Sequence, residues 1–499
     1  MTGPLPERFD QLLDRPPAEA TALHWRGGGM TYAELRQKVE ALAAALAARI
    51  APGDRVALFL PKLPEAVVAL FAISRAGGIG VPVNPLLKGP QLAHILADSG
   101  ARLLLTHAPR AALLGGEPPC PVLTLEAGWP EPAPGTPPAP QAPGGDALAL
   151  LFYTSGSTGR PKGVMVTHAN LLVGARSVAS YLGTSPEDRV LAVLPLSFDF
   201  GFSQLSTAFL AGASVILLDY LAPRDVVAAA VRHGATQLAA VPPLWVQLAA
   251  LDWPETRLAT LSASGGRMPE PTVRALRRRF PAARLHLMYG LTEAFRSTTL
   301  PPELVDSHPW SIGRAIPDAE VLVVRPDGSV AEDGEPGELV HCGPLVTRGY
   351  WGDPERTAER FRPAPAASRY GGMAVWSGDT VVREAGGLLR FVGRQDEMIK
   401  TMGMRVSPTE VEELAMASGA VSAAMALGIP DAEAGMRIRL LAVPAEGLSD
   451  EAVRARLAAH FRREAPAHLA PSDIRLLPAF PLSPNGKIDR VRLRADHGA

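Results

Sequence analysis

Short apolar strand patterns alternate with helical patterns along the first part of this chain. Residues 55–60 (RVALFL) and 78–83 (GIGVPV) have the pattern of buried strands, with a helical pattern between them. This order favours a parallel sheet, because parallel neighbours need a long crossover connection. Helical spacing also covers residues 32–48, where Thr31 and Glu34 have the spacing of a capping box. The sequence therefore predicts an α/β fold.

The alternation continues beyond a proline- and glycine-rich stretch at 127–145 and changes character later. From about 310 to 395, short alternating strands separated by Gly and Asp turns predict a β-rich subdomain. Residues 396–499 have the pattern of a small α+β module. We therefore predict a large N-terminal domain at 1–395, built of parallel sheets flanked by helices plus the β-rich subdomain, and a small C-terminal domain at 396–499.

Composition excludes several classes of protein. The 499 residues carry 49 Lys and Arg against 50 Asp and Glu, which argues against a generally basic nucleic-acid-binding protein. With 47% hydrophobic and 20% charged residues, the chain is not of the disordered type. No apolar run is long enough to span a bilayer, and the start lacks the pattern of a signal peptide. With only two cysteines, we expect a cytoplasmic protein with no membrane span and no nucleic-acid partner.

The most specific motif is a glycine-rich loop, YTSGSTGRPKG, at 153–163. Its glycines let the backbone approach an anion, its hydroxyls donate to phosphate oxygens, and Lys162 adds a positive charge. Gly163 stands where a P-loop has the Ser or Thr that holds magnesium, which argues against a P-loop hydrolase or kinase. The predicted phosphate-binding residues are Thr154, Ser155, Gly156, Ser157, Thr158, Gly159 and Lys162.

The spacing of this loop resembles that of the adenylate-forming superfamily, which includes acyl-CoA synthetases, luciferases and the adenylation domains of nonribosomal peptide synthesis. Other motifs that resemble those of the superfamily follow in order, so the resemblance covers essentially the whole chain. Each motif is a weak signal alone, and their joint order is a strong one. They are SGG at 264–266, YGLTE at 289–293, SGD at 377–379, GRQD at 393–396 and PNGK at 484–487.

Longer stretches resemble a narrower group. Residues 194–205, 264–269, 289–303 and 392–413 are similar to the AMP-forming acyl-CoA ligases associated with exosortase A systems. The name of that group specifies neither the acid nor the thiol. Both therefore stay open at this point.

The resemblance implies roles for individual residues. It implies that Tyr289 flanks the adenine of ATP and that Thr292 reaches the α-phosphate. Glu293 would help to hold Mg²⁺, a hard cation that a carboxylate suits. Asp379 would accept hydrogen bonds from the ribose hydroxyls, and Arg394 would also contact the ribose. The remaining residues implied to lie at the nucleotide are Gly265, Gly266 and Gly290.

The resemblance also implies a reaction in two steps. A carboxylate attacks the α-phosphate of ATP and releases pyrophosphate, and a thiol then displaces AMP from the acyl-adenylate. Lys487 would bridge the carboxylate and the α-phosphate in the first step. The C-terminal domain is implied to be mobile about a hinge at Asp396, so that Lys487 leaves and the face carrying Lys400 and Gly403 closes for the second step. Because no phosphopantetheine-carrying segment follows Lys487 in this sequence, we expect the acceptor to be CoA or a separate acyl carrier protein.

The acid pocket is the most informative departure from fatty-acid-activating relatives. Asp199 matches the position at which amino-acid-activating relatives bind the substrate ammonium, and Arg296 matches a position that lines the pocket. Burying these charges against hydrocarbon would be costly, so the pair favours an amino-bearing acid, possibly with a second carboxylate. Alternatively, the two residues pair with each other or face away, and the substrate is a hydrophobic fatty or aryl acid. The other matched lining positions are Phe200, Ser203, Ala240, Ser262, Ser264, Met288 and Ser297.

Two other functional classes share this fold, a scaffold protein without activity and a luciferase-type oxidase. A catalytically silent scaffold homologue is disfavoured, because Lys162, Glu293, Asp379, Arg394 and Lys487 are all present. Luciferase-type oxidation of the same adenylate has no positive support in the motifs. The sequence therefore predicts an ATP-dependent acid–thiol ligase.

We predict that Lys487→Ala abolishes adenylate formation, with a loss of roughly 10²–10³-fold or more, while a preformed adenylate is still transferred to the thiol. Pyrophosphate exchange into ATP measures the first step, and thioester formation from a supplied adenylate measures the second. Lys38, a lysine outside the motifs, provides the control substitution Lys38→Ala. Exchange at the wild-type rate in Lys487→Ala would contradict the assignment.

Overall fold

The structure is a computed structural model that describes residues 6–124, 126, 144–154, 161–394, 397–401, 404–431 and 435–498. Internal contacts divide the chain into two units. The larger unit comprises residues 1–321 and 341–375, and the smaller unit comprises residues 322–340 and 376–499. The chain therefore passes between the units three times.

A six-stranded sheet forms the first part of the larger unit, in the order β6-β5-β3-β4-β7-β8. Strands β3 and β4 are parallel neighbours with a helix between them in sequence, which confirms the prediction. The predicted capping box at Thr31 and Glu34 is also confirmed. The strands of this sheet are β3 (Arg55–Phe59), β4 (Ile79–Pro82), β5 (Leu103–Thr106), β6 (Val122–Thr124), β7 (Leu148–Thr154) and β8 (Lys162–Thr167). Two earlier strands, β1 (Thr21–Trp25) and β2 (Gly28–Thr31), belong to the second sheet described below. The helices are α1 (Tyr32–Ala47), α2 (Pro64–Arg75), α3 (Gly89–Ser99), α4 (Ala108–Ala111) and α5 (His168–Leu182), with 3-10 turns at Phe9–Asp14 and Ala112–Leu114.

A second sheet of the larger unit has the order β15-β14-β13-β12-β11-β9-β10-β1-β2. Its six central strands, from β13 to β1, are parallel neighbours, so their carboxyl ends lie at one edge. The strands added here are β9 (Arg189–Ala192), β10 (Ser214–Leu217), β11 (Gln237–Ala240), β12 (Thr260–Ala263), β13 (Arg284–Tyr289), β14 (Thr298–Leu300) and β15 (Ser311–Ala315). The helices are α6 (Asp199–Ala211), α7 (Pro223–His233), α8 (Pro242–Ala249) and α9 (Glu270–Arg279), with 3-10 turns at Thr292–Ala294 and Pro302–Leu304.

The region 310–395 is rich in strands, as predicted. The C-terminal residues combine helices with a sheet of order β22-β21-β24-β23, in which β25 also pairs parallel to β24. The remaining strands are β16 (Glu320–Val324), β17 (Pro336–Cys342), β18 (Phe361–Pro363), β19 (Met373–Arg383), β20 (Leu389–Arg394), β21 (Ile399–Thr401), β22 (Met404–Val406), β23 (Val421–Asp431), β24 (Gly435–Pro444) and β25 (Asp473–Leu476). The helices are α10 (Pro354–Arg360), α11 (Pro408–Ala417), α12 (Asp450–Glu464) and α13 (Arg490–His497), with a 3-10 turn at Ala467–Leu469.

Helix α6 lies at the centre of the larger unit, and all of its residues are buried. Phe202 and Phe209 on this helix pack edge-on against Phe9 and Phe71, with ring centroids 5.6 and 5.5 Å apart. A helix buried on every side has little freedom to shift, because its neighbours are close-packed around it. The residues at its N-terminus are therefore held firmly.

Within the described part of the chain, no helix is both long enough and apolar enough to cross a membrane.

A buried ionic cluster ties the N-terminal 3-10 turn to α2. Asp10 is fully buried, and its carboxylate accepts hydrogen bonds from Arg8 at 2.7 Å and from the Ser74 hydroxyl at 2.6 Å. Arg75 Nε lies 2.7 Å from the same carboxylate. Burial alone would raise the pKa of Asp10, but the hydrogen bond and charge of Arg8 outweigh it, and the pKa falls below its usual value.

We predict that Asp10→Asn lowers the free energy of unfolding at pH 7 by about 3 kcal/mol, because it leaves buried arginine charge without its partner. Since the folded pKa of Asp10 is depressed, its stabilising effect is present above the pKa of an unfolded aspartate and is lost as the pH falls through the folded value. Urea unfolding followed by tryptophan fluorescence at pH 7 and at acidic pH measures both effects. The control is Asp14→Asn, since Asp14 is a half-exposed partner of Arg75 and the expected loss is below about 1 kcal/mol. Equal losses for the two variants would contradict this prediction.

Candidate active site

Most of the predicted site residues lie at or just after the carboxyl ends of four parallel strands. The segment after β9 leads to Asp199, which begins α6, and β11 ends at Ala240. Strand β12 is followed by Ser264, and β13 ends at Tyr289. Open α/β sheets bind ligands outside this edge, because the loops that follow the strands meet there. The predicted residues Gly265, Gly266, Gly290 and Thr292 belong to the same loops.

Glu293 lies in a small cluster with Lys162 and Tyr350. The Tyr350 hydroxyl donates to Glu293 Oε1 at 2.6 Å, and Lys162 Nζ lies 3.5 Å from the same oxygen. Lys162 Nζ also lies 3.8 Å from the centre of the Tyr350 ring, a cation–π distance. Burial lowers the pKa of Lys162, and the Glu293 carboxylate opposes this effect. Burial and the same carboxylate raise the pKa of Tyr350, so its hydroxyl stays a donor.

The glycine-rich loop joins β7 to β8, and the two strands pair at Thr154 and Lys162. The Thr154 hydroxyl is buried and has no hydrogen-bond partner among the described residues. It is thus available to an incoming ligand. Several predicted residues lie outside the part of the chain that the structure describes: Ser155, Gly156, Ser157, Thr158, Gly159, Asp396, Gly403 and the side chain of Lys400.

The donor set at Glu293 fits a magnesium ion that is shared with nucleotide phosphates. Magnesium prefers oxygen ligands and is commonly held by one or two carboxylates plus substrate phosphates. Among the residues described, no three His, Cys, Asp or Glu side chains converge on a metal position. The residues therefore fit a phosphate-bound ion better than a site built of protein ligands alone.

The turn after Glu293 has an unusual backbone. Phe295 has a φ of 58°, which a residue with a bulky side chain rarely adopts, and its ring is buried. The ring packs against Gly174 of α5, where an added Cβ would lie 2.5 Å from the ring. At Gly290, an added Cβ would lie 2.9 Å from the Arg296 Cα. The turn therefore holds the Arg296 backbone close against the end of β13.

Asp199 and Arg296 come together inside the larger unit. Arg296 is 2% exposed and Asp199 is 3% exposed, and Arg296 Nη1 lies 4.0 Å from Asp199 Oδ2. The guanidinium also lies 4.6 Å from the centre of the Phe200 ring and donates to the Ser203 hydroxyl at 3.4 Å. Arg296 Nε has no hydrogen-bond partner among the described residues. The pair is thus a loose one, well beyond the 2.7–2.9 Å of a charge-assisted hydrogen bond.

A cavity of about 30 Å³ lies beside this pair. Five of the nine predicted acid-binding residues line it: Phe200, Ser203, Ser262, Met288 and Arg296. Asp199, Ala240, Ser264 and Ser297 are buried but are not part of its wall. The Ser297 hydroxyl instead lies 2.9 Å from His341 Nδ1. Burial lowers the pKa of His341 to about 3, so this histidine is neutral at physiological pH.

Sequence reasoning did not identify Tyr350, nor the two cavity residues Gln204 and Thr207. Gln204 and Thr207 follow Phe200 at helical spacing, so recognising α6 from its apolar residues would have indicated them. Tyr350 has no comparable local signal, because only the three-dimensional structure brings it to Glu293.

In the smaller unit, Asp379 and Arg394 face each other on paired strands. They are direct partners in the antiparallel register of β19 and β20, with Arg394 Nε 3.5 Å from Asp379 Oδ1. The Asp379 N–H donates to the Ser377 hydroxyl at 3.1 Å, and that hydroxyl donates to the Leu339 carbonyl at 2.6 Å. This network fixes the backbone at Asp379.

Lys487 lies in a tight turn of the smaller unit. The Ser483 N–H donates to the Lys487 carbonyl at 2.7 Å, and Gly486 has a φ of 76°, which glycine adopts without strain. Helix α13 begins just after this turn. Arg490 on that helix donates to the buried carboxylate of Glu412 on α11 at 2.6 Å. The ion pair anchors the turn that carries Lys487 to the body of this unit.

Comparison with known proteins shows the family of this chain. Residues 9–351 match the AMP-binding enzyme family, and residues 410–487 match the AMP-binding enzyme C-terminal domain. A feruloyl-CoA synthase of an Amycolatopsis species is 34% identical over 503 residues, covering 97% of this chain and 97% of that protein. Tyrocidine synthase 3 of Brevibacillus parabrevis is 32% identical over 98% of this chain, which spans only 8% of that protein.

Solved structures agree with these matches. The anthranilate CoA ligase AuaEII in complex with anthranoyl-AMP superposes with a TM-score of 0.90 at 25% identity, covering 99% of this chain and 98% of that one. The o-succinylbenzoate CoA synthetase of Bacillus subtilis, in complex with its acyl-adenylate, superposes with a TM-score of 0.85 at 26% identity, covering 99% of each chain. The predicted fold class, a large N-terminal α/β domain followed by a small C-terminal domain, is confirmed. The chain belongs to the AMP-binding enzyme family of the adenylate-forming superfamily, and it is an ATP-dependent, AMP-forming ligase.

Proposed function

We propose that this ligase activates an amino-bearing acid with a second carboxylate and transfers it to a phosphopantetheine thiol. The observation that carries the proposal is the buried, loose pair of Asp199 and Arg296 beside the cavity. An ammonium group would bind Asp199, and the second carboxylate would bind Arg296. The reacting carboxylate would lie toward ATP.

Charge balance supports this substrate. Asp199 and Arg296 together are neutral, and a buried site tolerates net charge poorly. An amino acid with a neutral side chain would bring one uncompensated positive charge. An acid with both an ammonium and a second carboxylate brings none. The 4.0 Å separation leaves the pair weakly bonded, so insertion of such a zwitterion loses little.

For adenylate formation, we assign the ATP phosphates to the loop around Thr154 and Lys162. Lys162 would pair with the departing pyrophosphate, because it is the cation next to Glu293. Mg²⁺ held at Glu293 would supply positive charge that neutralises the phosphates. Tyr350 would orient the Glu293 carboxylate through its hydrogen bond. Lys487 would bridge the attacking carboxylate and the α-phosphate, as its motif implies.

We assign the thiol to a separate carrier protein ahead of free CoA. The matched relatives include feruloyl-CoA synthase, whose name specifies CoA, and tyrocidine synthase 3. An amino-bearing acid favours the carrier. Asp396 as the hinge and Lys400 on the closing face complete the proposed second step.

A second candidate is an uncharged aryl acid. Two contacts of Arg296 support it. The guanidinium stacks on the Phe200 ring at 4.6 Å, and it lies beside Asp199, so the charges of these two residues balance without a charged substrate. The names feruloyl-CoA synthase and anthranilate CoA ligase both refer to aryl acids. In this case the acid would contact the apolar part of the cavity, and CoA would be the acceptor.

We predict that Tyr350→Phe lowers kcat/KM for ATP at limiting Mg²⁺ by roughly 10-fold, because a hydrogen bond to a charged group contributes about 1.5–3 kcal/mol. Added Mg²⁺ should recover part of the loss. Pyrophosphate exchange over a Mg²⁺ titration measures both. The control Tyr370→Phe removes the hydroxyl of a largely exposed tyrosine and should change nothing. An unchanged Mg²⁺ dependence in Tyr350→Phe would contradict the role given to this tyrosine.

We predict that pyrophosphate exchange across a panel of acids is strongest with a dicarboxylic amino acid. The panel comprises aspartate, glutamate, β-alanine, neutral amino acids, fatty acids and aryl acids. Asp199→Asn and Arg296→Gln should each lower this exchange by roughly 10²-fold or more, because each removes a charge that would bind the oppositely charged group of the substrate. An aryl or fatty acid signal that survives both substitutions would contradict the proposal and favour the second candidate with CoA as acceptor.

A further inference from the structure

One face of α6 forms a stripe along the cavity. Phe200, Ser203, Gln204 and Thr207 all line it, at the i, i+3, i+4 and i+7 spacing of a single helix face. Arg296 contacts the helix at Ser203. With a rise of 1.5 Å per residue, Thr207 lies about 6 Å further along the helix axis. The cavity therefore continues beyond the Asp199–Arg296 pair.

Gln204 and Thr207 are buried polar residues whose side chains lack hydrogen-bond partners in the part of the chain that the structure describes. Gln204 is 5% exposed, and neither its amide nitrogen nor its amide oxygen has a hydrogen-bond partner among the described residues. The Thr207 hydroxyl, on a residue 4% exposed, lacks a partner in the same part of the chain. A buried polar group without a hydrogen bond destabilises the folded protein. A ligand that satisfies both residues would remove this destabilisation.

Two other polar residues that line the cavity, Gln237 and Thr260, are already hydrogen-bonded. Gln237 exchanges hydrogen bonds with Thr184 at 3.3 and 3.4 Å. The Thr260 hydroxyl accepts a hydrogen bond from Arg284 at 2.9 Å. Arg284 is an exposed residue, so solvent screens its charge. Gln204 and Thr207 are therefore the groups at this end that a ligand would engage.

We propose that Gln204 and Thr207 form a distal subsite that binds an uncharged hydrogen-bonding end group of the acid, a hydroxyl or a carboxamide. The subsite rests on one part of the proposed function, namely that the acid binds in this cavity. Of the described residues that line the cavity, Arg296 alone is charged. A charged end group would have no partner this deep, whereas Gln204 offers one donor group and one acceptor to a neutral group. Aspartate and glutamate would place their second carboxylate at Arg296 and leave the subsite empty, so the full substrate would carry this neutral group beyond that carboxylate.

The test compares acids of four to eight carbons that end in a hydroxyl, a carboxamide or a methyl group, each with and without a 2-amino group and with and without a second carboxylate on the chain before that end group. Pyrophosphate exchange gives kcat/KM, and competition against the best substrate of the wild-type enzyme gives the affinity of acids that do not react. The variants are Gln204→Leu and Thr207→Val. Ser206→Ala is the control, since Ser206 is buried on α6 but does not line the cavity.

At one chain length, the wild-type enzyme should prefer the polar end over the methyl end by roughly 10-fold or more. Gln204→Leu and Thr207→Val should each remove most of that preference at that length, and Ser206→Ala should keep it. Thermal unfolding of Gln204→Leu should match or exceed that of the wild type, because unsatisfied polar atoms are removed. This separates a change of specificity from a loss of folding.

Three outcomes would overturn the subsite. The polar preference could be absent at every length, it could be unchanged in both variants, or no acid of the series could react or compete. The second outcome would mean that Gln204 and Thr207 hold a bound water only. A preference that is present and sensitive to the variants, but seen only in acids without the 2-amino group, would uphold the subsite and contradict the ammonium part of the proposed function.

Discussion

Two opposite charges, Asp199 and Arg296, are buried together inside the larger unit, where a charge is costly unless it is compensated. Much of the local structure holds them. Helix α6 is buried along its whole length and begins at Asp199. On the other side, the positive φ of Phe295 and the close approach at Gly290 fix the backbone of Arg296. The backbone conformation of Phe295 is strained, and strain of this kind persists where the surrounding packing enforces it.

The larger unit contains two groups of residues that suit different chemistry. Lys162, Glu293 and Tyr350 form a charged cluster that suits phosphate and its metal ion. The cavity next to α6 is mixed in character, because Arg296 is charged and the other described polar residues that line it are neutral. We propose that one substrate has its carboxylate near the first group of residues and its tail in the second. The residues suited to adenylation are then different from those that would select the acid.

Much of this organisation could be predicted from the sequence. The strand–helix alternation determined the parallel sheet, since periodicity is a local signal, and the capping box at Thr31 was exact in its partners. The motifs marked Lys162, Glu293, Asp379 and Lys487 one at a time.

What the sequence could not supply were distances between remote residues. Asp199 and Arg296 are 97 positions apart, and only the packing of α6 against the end of β13 determines that they lie 4.0 Å apart. Tyr350 likewise reaches Glu293 from a distant loop. Helical spacing could have indicated that Gln204 and Thr207 share a face with Phe200, but not that their polar atoms lack partners among the described residues, because that is a property of the packed structure. The domain boundary at 395/396 and the hinge at Asp396 stay predictions.

The central claim is that the cavity matches an acid with both an ammonium and a second carboxylate. The most direct measurement is the binding of two unreactive adenylate analogues by calorimetry, glutamyl-sulfamoyladenosine and its glutaminyl counterpart. They have nearly the same shape and differ in the charge of the side-chain end. The account predicts that the glutamyl analogue binds roughly 10-fold or more tightly, and that Arg296→Gln abolishes the difference. Equal affinity in the wild-type protein would contradict it.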